Sequence, residues 1–168
     1  MPHRRWLGLA LAVMLAAGVA GCWIVDVLKP PAEVTEEYDA SKDLFKQQEY
    51  ARAEVGFKSF LDNHPNNPLA PWARYYLAES YFKQGLYQDA IGTFELFLQE
   101  TNVPQLIQLA RYDLGECYRQ VGRVNDARAQ YEQVIDAGTN LESDLAKNYI
   151  ELAKSRLSEL SAAPNSAQ

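Results

Sequence analysis

From Thr35 onward the apolar residues recur every three to four positions, as in Leu77 and Tyr81 and, past Gly85, in Tyr87, Ile91, Phe94 and Leu98. That spacing lines one side of an α-helix, and the strict alternation of a strand is missing. The pattern then returns at an interval of 37 residues: Ala53, Ala90 and Ala127 fall on it, as do Phe57, Phe94 and Tyr131, and Phe60, Phe97 and Val134. Leu44, Tyr81 and Tyr118 follow the same interval, with Ser41, Ala78 and Gly115, and with Gln48, Gly85 and Gly122. A fixed period of this size means stacked supersecondary units, none of which can bury its apolar side alone.

Each unit reads as two helices joined by a tight turn, at Gln48-Glu49, Gly85-Leu86 or Gly122-Arg123. Glycine suits such a turn because it accepts positive φ without a Cβ clash. The connections between units carry helix stops: His64-Pro65-Asn66-Asn67-Pro68, then Thr101-Asn102 with Pro104, then Gly138-Thr139-Asn140. The repeats are therefore placed at about 35–68, 70–103 and 107–140. A further amphipathic segment, roughly Glu142 to Leu160, has Leu145, Tyr149, Leu152 and Leu157 along one side. It is expected to cap the stack over 141–160, because the last apolar face would otherwise be bare. Residues 162–168 are expected to be a disordered tail.

The residues on this ladder, Leu77-Ala78, Tyr81, Gly85, Tyr87, Ala90 and Phe94, and again Leu114-Gly115, Tyr118, Gly122, Ala127 and Tyr131, resemble the tetratricopeptide repeat. The first unit keeps Leu44, Tyr50, Ala53, Phe57 and Pro65 but has Ala40-Ser41 and no turn glycine. The resemblance implies an all-α, right-handed solenoid of three helix-turn-helix repeats plus a C-terminal capping helix. In it Ala53, Ala78, Ala90, Gly115 and Ala127 let paired helices approach closely. The interval exceeds the usual 34 residues by three. That spacing is similar to two envelope families of Gram-negative bacteria, the repeats of BamD in outer-membrane assembly and the repeat domain of the Tol-Pal coordinator YbgF (CpoB). The lipoprotein character described next fits the first and the repeat number fits the second, so both stay open.

Ahead of the repeats, Arg4 and Arg5 precede an uncharged apolar run from Trp6 to Ala17 and the small residues Gly18, Ala20 and Gly21. The run is shorter than the roughly 20 residues needed to span a bilayer, and it reads as an export signal over 1–21. Val19-Ala20-Gly21-Cys22 resembles the bacterial lipobox, which implies acylation at Cys22 and, with two or more chains, stable membrane anchoring. The alternative is an ordinary secretory signal that happens to contain a cysteine. Trp23 follows Cys22 where an Asp would mark inner-membrane retention, so the resemblance implies the periplasmic face of the outer membrane. Residues 22–34, with Pro30 and Pro31, read as a short stiff tether.

At 168 residues and 48% hydrophobic, the chain is long and apolar enough for one compact domain, which excludes a disordered protein. Its net charge is -6, and a general nucleic-acid binder carries the opposite balance. Loss of residues 1–21 would leave 14 basic against 22 acidic side chains, with no electrostatic reason to lie on anionic lipid. His64 is the only histidine after Cys22, so a His-pair metal site or a two-histidine relay cannot be assembled. No Gly-x-Ser-x-Gly elbow or phosphate loop is present. Cys117, spaced to face the helix pair, is expected to be buried. Asp89 with Glu95, and Glu132 with Asp136, read as solvated helix faces. No enzyme activity, cofactor, metal or small-molecule substrate is expected.

The resemblance also implies a groove lined by the first helices, where a partner segment docks. Tyr38, Tyr75 and Tyr112 lie on the 37-residue ladder there, with Lys42, Glu79 and Glu116, then Phe45, Phe82 and Arg119, and Trp72 one turn before Tyr75. Tyrosine and arginine are frequent interface anchors, although the same tyrosines could equally pack between units. The expectation is a membrane-anchored periplasmic scaffold that receives an extended or helical segment of an envelope protein, with Glu79 and Glu116 favouring basic partners. The alternative is a self-assembling structural or secretion-apparatus lipoprotein.

Overall fold

The computed structural model describes residues 32–138 and 144–162, which form seven α-helices and no strand. In chain order they are α1 (Ala32–Lys46), α2 (Tyr50–Asn63), α3 (Ala70–Lys83), α4 (Tyr87–Glu100), α5 (Pro104–Gln120), α6 (Val124–Gly138) and α7 (Asp144–Ala162). No described helix is long and apolar enough to cross a membrane. The chain divides into two compact units, 1–35 and 36–168, and the second holds the repeats. The export signal, Cys22 and residues 163–168 lie outside the described residues. Residues 32–34, expected as tether, are instead the first turn of α1. Ala32-Glu33-Val34 contains no breaker, and the stretch after Pro31 is free to start a helix.

The three hairpins α1/α2, α3/α4 and α5/α6 close with the same turn. The amide of Glu49, Leu86 or Arg123 donates to the carbonyl of Leu44, Tyr81 or Tyr118, at 2.9, 2.9 and 2.8 Å. This six-residue closure needs a left-handed residue just past the helix, and Gln48, Gly85 and Gly122 supply it with φ of 64, 78 and 77°. The first unit thus makes the turn without glycine, and a side chain there costs about 1 kcal/mol. The connections between hairpins use other means. Asn67 accepts from the Leu69 amide through its side chain, while Pro71 and Pro104 occupy first turns where a missing N–H costs nothing.

Successive helices pack in sequence along the stack, and α7 docks on both α5 and α6. The core is the ladder read from the sequence: Ala53, Ala78, Ala90 and Ala127 have no exposed surface, nor do Phe57, Phe60, Phe94, Phe97, Tyr131 and Val134. At Gly115 a Cβ would stand 2.6 Å from the buried Tyr131 ring, so α5 and α6 meet at a distance only glycine permits. Tyr131 cannot yield, because it is enclosed and its hydroxyl donates to Glu116 at 2.7 Å.

α7 continues the 37-residue register. Tyr149 follows Tyr112, their rings meeting edge to face at 5.3 Å, and Arg156 follows Arg119. Its buried residues are Ala146 and Ala153, whereas Leu145 and Leu152 remain 44% and 45% exposed. The apolar side expected from Leu145 and Leu152 is thus rotated away from the stack. Two alanines set the contact because they allow the helix to settle close to α5 and α6, with Tyr149 and Leu157 half-buried on either side.

The turn yields a stability test. Gln48 is exposed, so Gln48→Gly removes backbone strain and little else. We expect it to raise stability by about 0.5–1 kcal/mol, read as a higher urea midpoint; an unchanged or lower midpoint would contradict the strain.

Candidate protein-docking groove

Each first helix carries one ladder tyrosine, and each sits on the rings of its own second helix. Tyr38 meets Phe57 and Phe60 at 6.0 and 5.7 Å, and Tyr75 meets Phe94 and Phe97 at 6.0 and 6.1 Å. Tyr112 meets Tyr131 at 5.8 Å and, in place of a second ring, Tyr149 of α7. The three are 5%, 4% and 8% exposed. Of the two roles open to them in the sequence, the structure places them in packing, with almost no surface left for a partner. An aromatic ring gains most by full burial, and the rings at 57, 60, 94, 97 and 131 offer that.

The neighbouring candidates fall into two groups. Phe45 and Phe82 lie against Tyr50 and Tyr87 at the start of the next helix, 5.3 and 5.7 Å away, and Phe45 also meets Tyr76. They are half-buried and brace the turn end of each hairpin. Arg119 occupies the equivalent place in the third unit and donates to Glu116 at 2.8 Å. Glu116 also accepts from Tyr131 and, at 2.8 Å, from Arg156 of α7. Burial would raise this carboxyl, but the bonds from Arg119, Tyr131 and Arg156 hold it below the usual range. Glu116 therefore clamps α7 to α5 and, only 8% exposed and already paired with two arginines, offers little charge to a basic partner.

Glu79 is different. It is half-buried in α3, and burial raises its carboxyl, with Lys83 easing the effect. Across from it on α5 is Asp113, which the sequence reading did not single out. Its Oδ2 accepts from the Tyr75 hydroxyl at 2.8 Å. Burial, together with the charge of Glu79, pushes Asp113 up to about 7 against the hydrogen bond from Tyr75 and the charge of Lys83. Tyr149 also feels both carboxylates, which raise its phenol in addition to burial. Among the described residues no salt bridge closes on Glu79 or Asp113. Tyr76, partly exposed, feels the Glu79 charge, and Lys42 lies over Tyr38 and Tyr76 at 5.7 and 5.6 Å. Tyr76 is itself stacked on Phe57 at 5.6 Å. Trp72, 39% exposed, stands a turn before Tyr76 on the same helix. Sequence reasoning missed Asp113 because it takes the ladder place of Tyr76 and breaks the aromatic pattern.

The remaining candidates are structural. Cys117 is buried with no exposed surface, and burial pushes its thiol up to about 12, so it is protonated and unreactive at neutral pH. His64 Nε2 contacts Glu37 at 3.1 Å and packs on Phe60. Among the described residues no group of acidic, Cys or His side chains could hold a metal. A separate cleft of about 210 Å³ lies between the α2–α3 connection and the end of α4. The Arg74–Glu100 ion pair already neutralises its charge.

Models of the tetratricopeptide repeat match residues 38–107 and 109–137, and the chain belongs to this family of helical-hairpin scaffolds. A stretch of 49 residues, 29% of the chain, is 41% identical to the cell division coordinator CpoB of Pseudomonas putida, of which it covers 18%. The chain thus spans less than a fifth of that curated relative. Among solved structures it is similar to the Sgt2 repeat domain of Aspergillus fumigatus, with TM-score 0.60 and 22% identity over 84% of this chain and 91% of that one. It is also similar to PcrH of Pseudomonas aeruginosa, with TM-score 0.66 and 13% identity over 80% and 96%. PcrH in complex with the chaperone binding region of PopB gives TM-score 0.63 and 13% identity over 77% and 98%. At these identities the structures establish the fold alone.

The Asp113 carboxyl makes stability depend on pH. Unfolded, it releases its proton near the ordinary 3.8, whereas the folded chain keeps it to about 7, so the folded state binds more protons between those values. Stability falls as pH rises through that window and levels off above it. We expect Asp113→Asn to be more stable than the parent at pH 8 by about 1–3 kcal/mol, partial exposure damping the full effect. At pH 4 it should show no gain. Urea midpoints at the two pH values check this, and equal shifts at both would contradict it.

Proposed function

We propose that the chain is a non-catalytic scaffold whose first-helix face binds a basic segment of a cell-envelope protein, and that Cys22 anchors it by lipid to the periplasmic face of the outer membrane. The observation that carries the docking role is the pair Glu79 and Asp113, two carboxylates that close no salt bridge among the described residues, with the partly exposed Tyr76 near Glu79 and Tyr149 near both. Two half-buried acids side by side are costly for the free protein, and a cation placed between them removes that cost. The aromatic rims supply contact area at small entropic cost. Lys42, Trp72 and Tyr76 extend the same surface toward α1. The likeness to PcrH, solved with a segment of PopB, supports reading the fold as a receiver of chain segments. The short match to CpoB supports an envelope setting, and the lipobox at Cys22 supports the anchor.

Fluorescence titration with lysine- and arginine-rich peptides against acidic ones of equal length tests the docking role. The parent should prefer the basic peptides, and Glu79→Gln with Asp113→Asn should weaken them about tenfold, or ~1.4 kcal/mol, and flatten the salt dependence. Equal affinity of the parent for both sets would remove the reading. For the anchor, Cys22→Ser should abolish palmitate labelling and release the protein from the outer-membrane fraction; retained labelling would refute it.

A further inference from the structure

First helices of successive units meet at one repeated place. At the α1–α3 junction Lys42 reaches over the rings of Tyr38 and Tyr76, 5.7 and 5.6 Å from their centres, and Phe45 meets Tyr76 at 5.3 Å. The 37-residue register carries Lys42 onto Glu79 and Tyr76 onto Asp113. The equivalent place between α3 and α5 thus holds two carboxylates, and the bond from the Tyr75 hydroxyl to Asp113 ties the two helices together there. One unit further the register gives Glu116 and Ile150, and Arg119 and Arg156 close on that carboxylate at 2.8 Å each. Two junctions therefore keep charge that no ion pair answers, and their signs are opposite.

Among the described residues no salt bridge closes on Lys42. Asp43 beside it pairs with Lys46 at 2.8 Å, and Asp39, exposed a turn earlier, makes no bridge. Lys83, the other first-helix lysine without an ion pair, already acts on the acids, since its charge lowers the carboxyls of Glu79 and Asp113. Lys42 is half-buried and laid against two rings, which hold the ammonium close to one position.

We propose that the docked segment is bipolar: it lies extended across the first helices, its basic side chain meeting the Glu79 and Asp113 pair while an acidic side chain three residues away meets Lys42. Helices in contact stand about 8–10 Å apart. A polyproline-type strand returns to the same face every three residues, about 9 Å along its axis. One such step matches the distance from one junction to the next. A uniformly basic segment would set a like charge against Lys42, and a uniformly acidic one would meet two carboxylates. Trp72, 39% exposed a turn before Tyr76, and Tyr76 itself give the strand ring surface alongside these contacts. The inference rests on the docking role of Glu79 and Asp113, and it adds which charge accompanies the basic one and at what spacing.

The test measures fluorescence anisotropy of labelled peptides on the full chain in detergent. Peptides of equal length carry the same short lysine core with uncharged flanks, with a glutamate three residues before the core, or with a glutamate three residues after it. One of the two acid-flanked peptides should bind the parent about threefold tighter than the uncharged-flank peptide, the size of one exposed charge pair. Lys42→Gln, which keeps the length of the side chain, should erase that gain, and Lys42→Glu should turn it into a loss, both with an unchanged circular dichroism spectrum. No gain from the acid in either position, or a gain that survives Lys42→Glu, would overturn the proposal. If the lysine core still binds and Glu79→Gln with Asp113→Asn still weakens it, the docking role stands and only the bipolar reading falls. A lysine core that binds no better than the same peptide with serines in its place would remove the docking role, and this inference with it.

Discussion

The constraint on which the rest depends is the enclosure of one tyrosine per unit by the rings of its partner helix. Tyr38, Tyr75 and Tyr112 each fill the gap between a first and a second helix, while Ala53, Ala90 and Ala127 let the backbones close around them. A large flat ring beside a methyl-sized side chain sets the spacing of the pair within narrow limits, because either a smaller ring or a larger neighbour leaves a void or a clash. Repeating that contact every 37 residues makes the units equivalent and allows them to stack.

The same enclosure prepares the surface above it. The Tyr75 hydroxyl reaches out of the core to Asp113, so a core residue of one unit holds a carboxylate of the next. Glu79 stands beside it with no salt bridge among the described residues, and the nearby Glu116, which looks equivalent by register, is consumed in clamping α7 through Arg119 and Arg156. Two carboxylates on successive first helices therefore have opposite fates. The one with two arginines is structural, and Glu79, eased only by the charge of Lys83, is left open to a ligand. Strain of this kind, a desolvated pair of like charges, persists only where packing over-determines the backbone.

Most of the fold was legible because the 37-residue interval is a property of the core, and core positions tolerate few residue types. Ala53, Ala90 and Ala127 sit in equivalent surroundings as their spacing required, and Gln48 adopts the glycine conformation of Gly85 and Gly122 because the six-residue closure leaves no other choice. The site was less legible. The tyrosine ladder marks the first-helix face, but nothing in the spacing says whether a ring lies under that face or on it, and the phenyl neighbours at 57, 60, 94 and 97 draw it under. Asp113 was invisible because its importance lies in a hydrogen bond from a residue 38 positions away. The seam of α7 was misread by one position because Leu145 and Leu152 outweigh Ala146 and Ala153 in any hydrophobic pattern, while close helix approach favours the alanines.

Replacement of Tyr75 tests the central claim most directly. Urea unfolding of Tyr75→Ala should show a loss of about 3–5 kcal/mol, the cost of emptying an enclosed aromatic site, while Tyr75→Phe should keep most of the stability because the ring remains. A Tyr75→Ala protein as stable as the parent would show that the ring is not what holds the helix pairs together, and the account of both the stack and the carboxylates above it would fail.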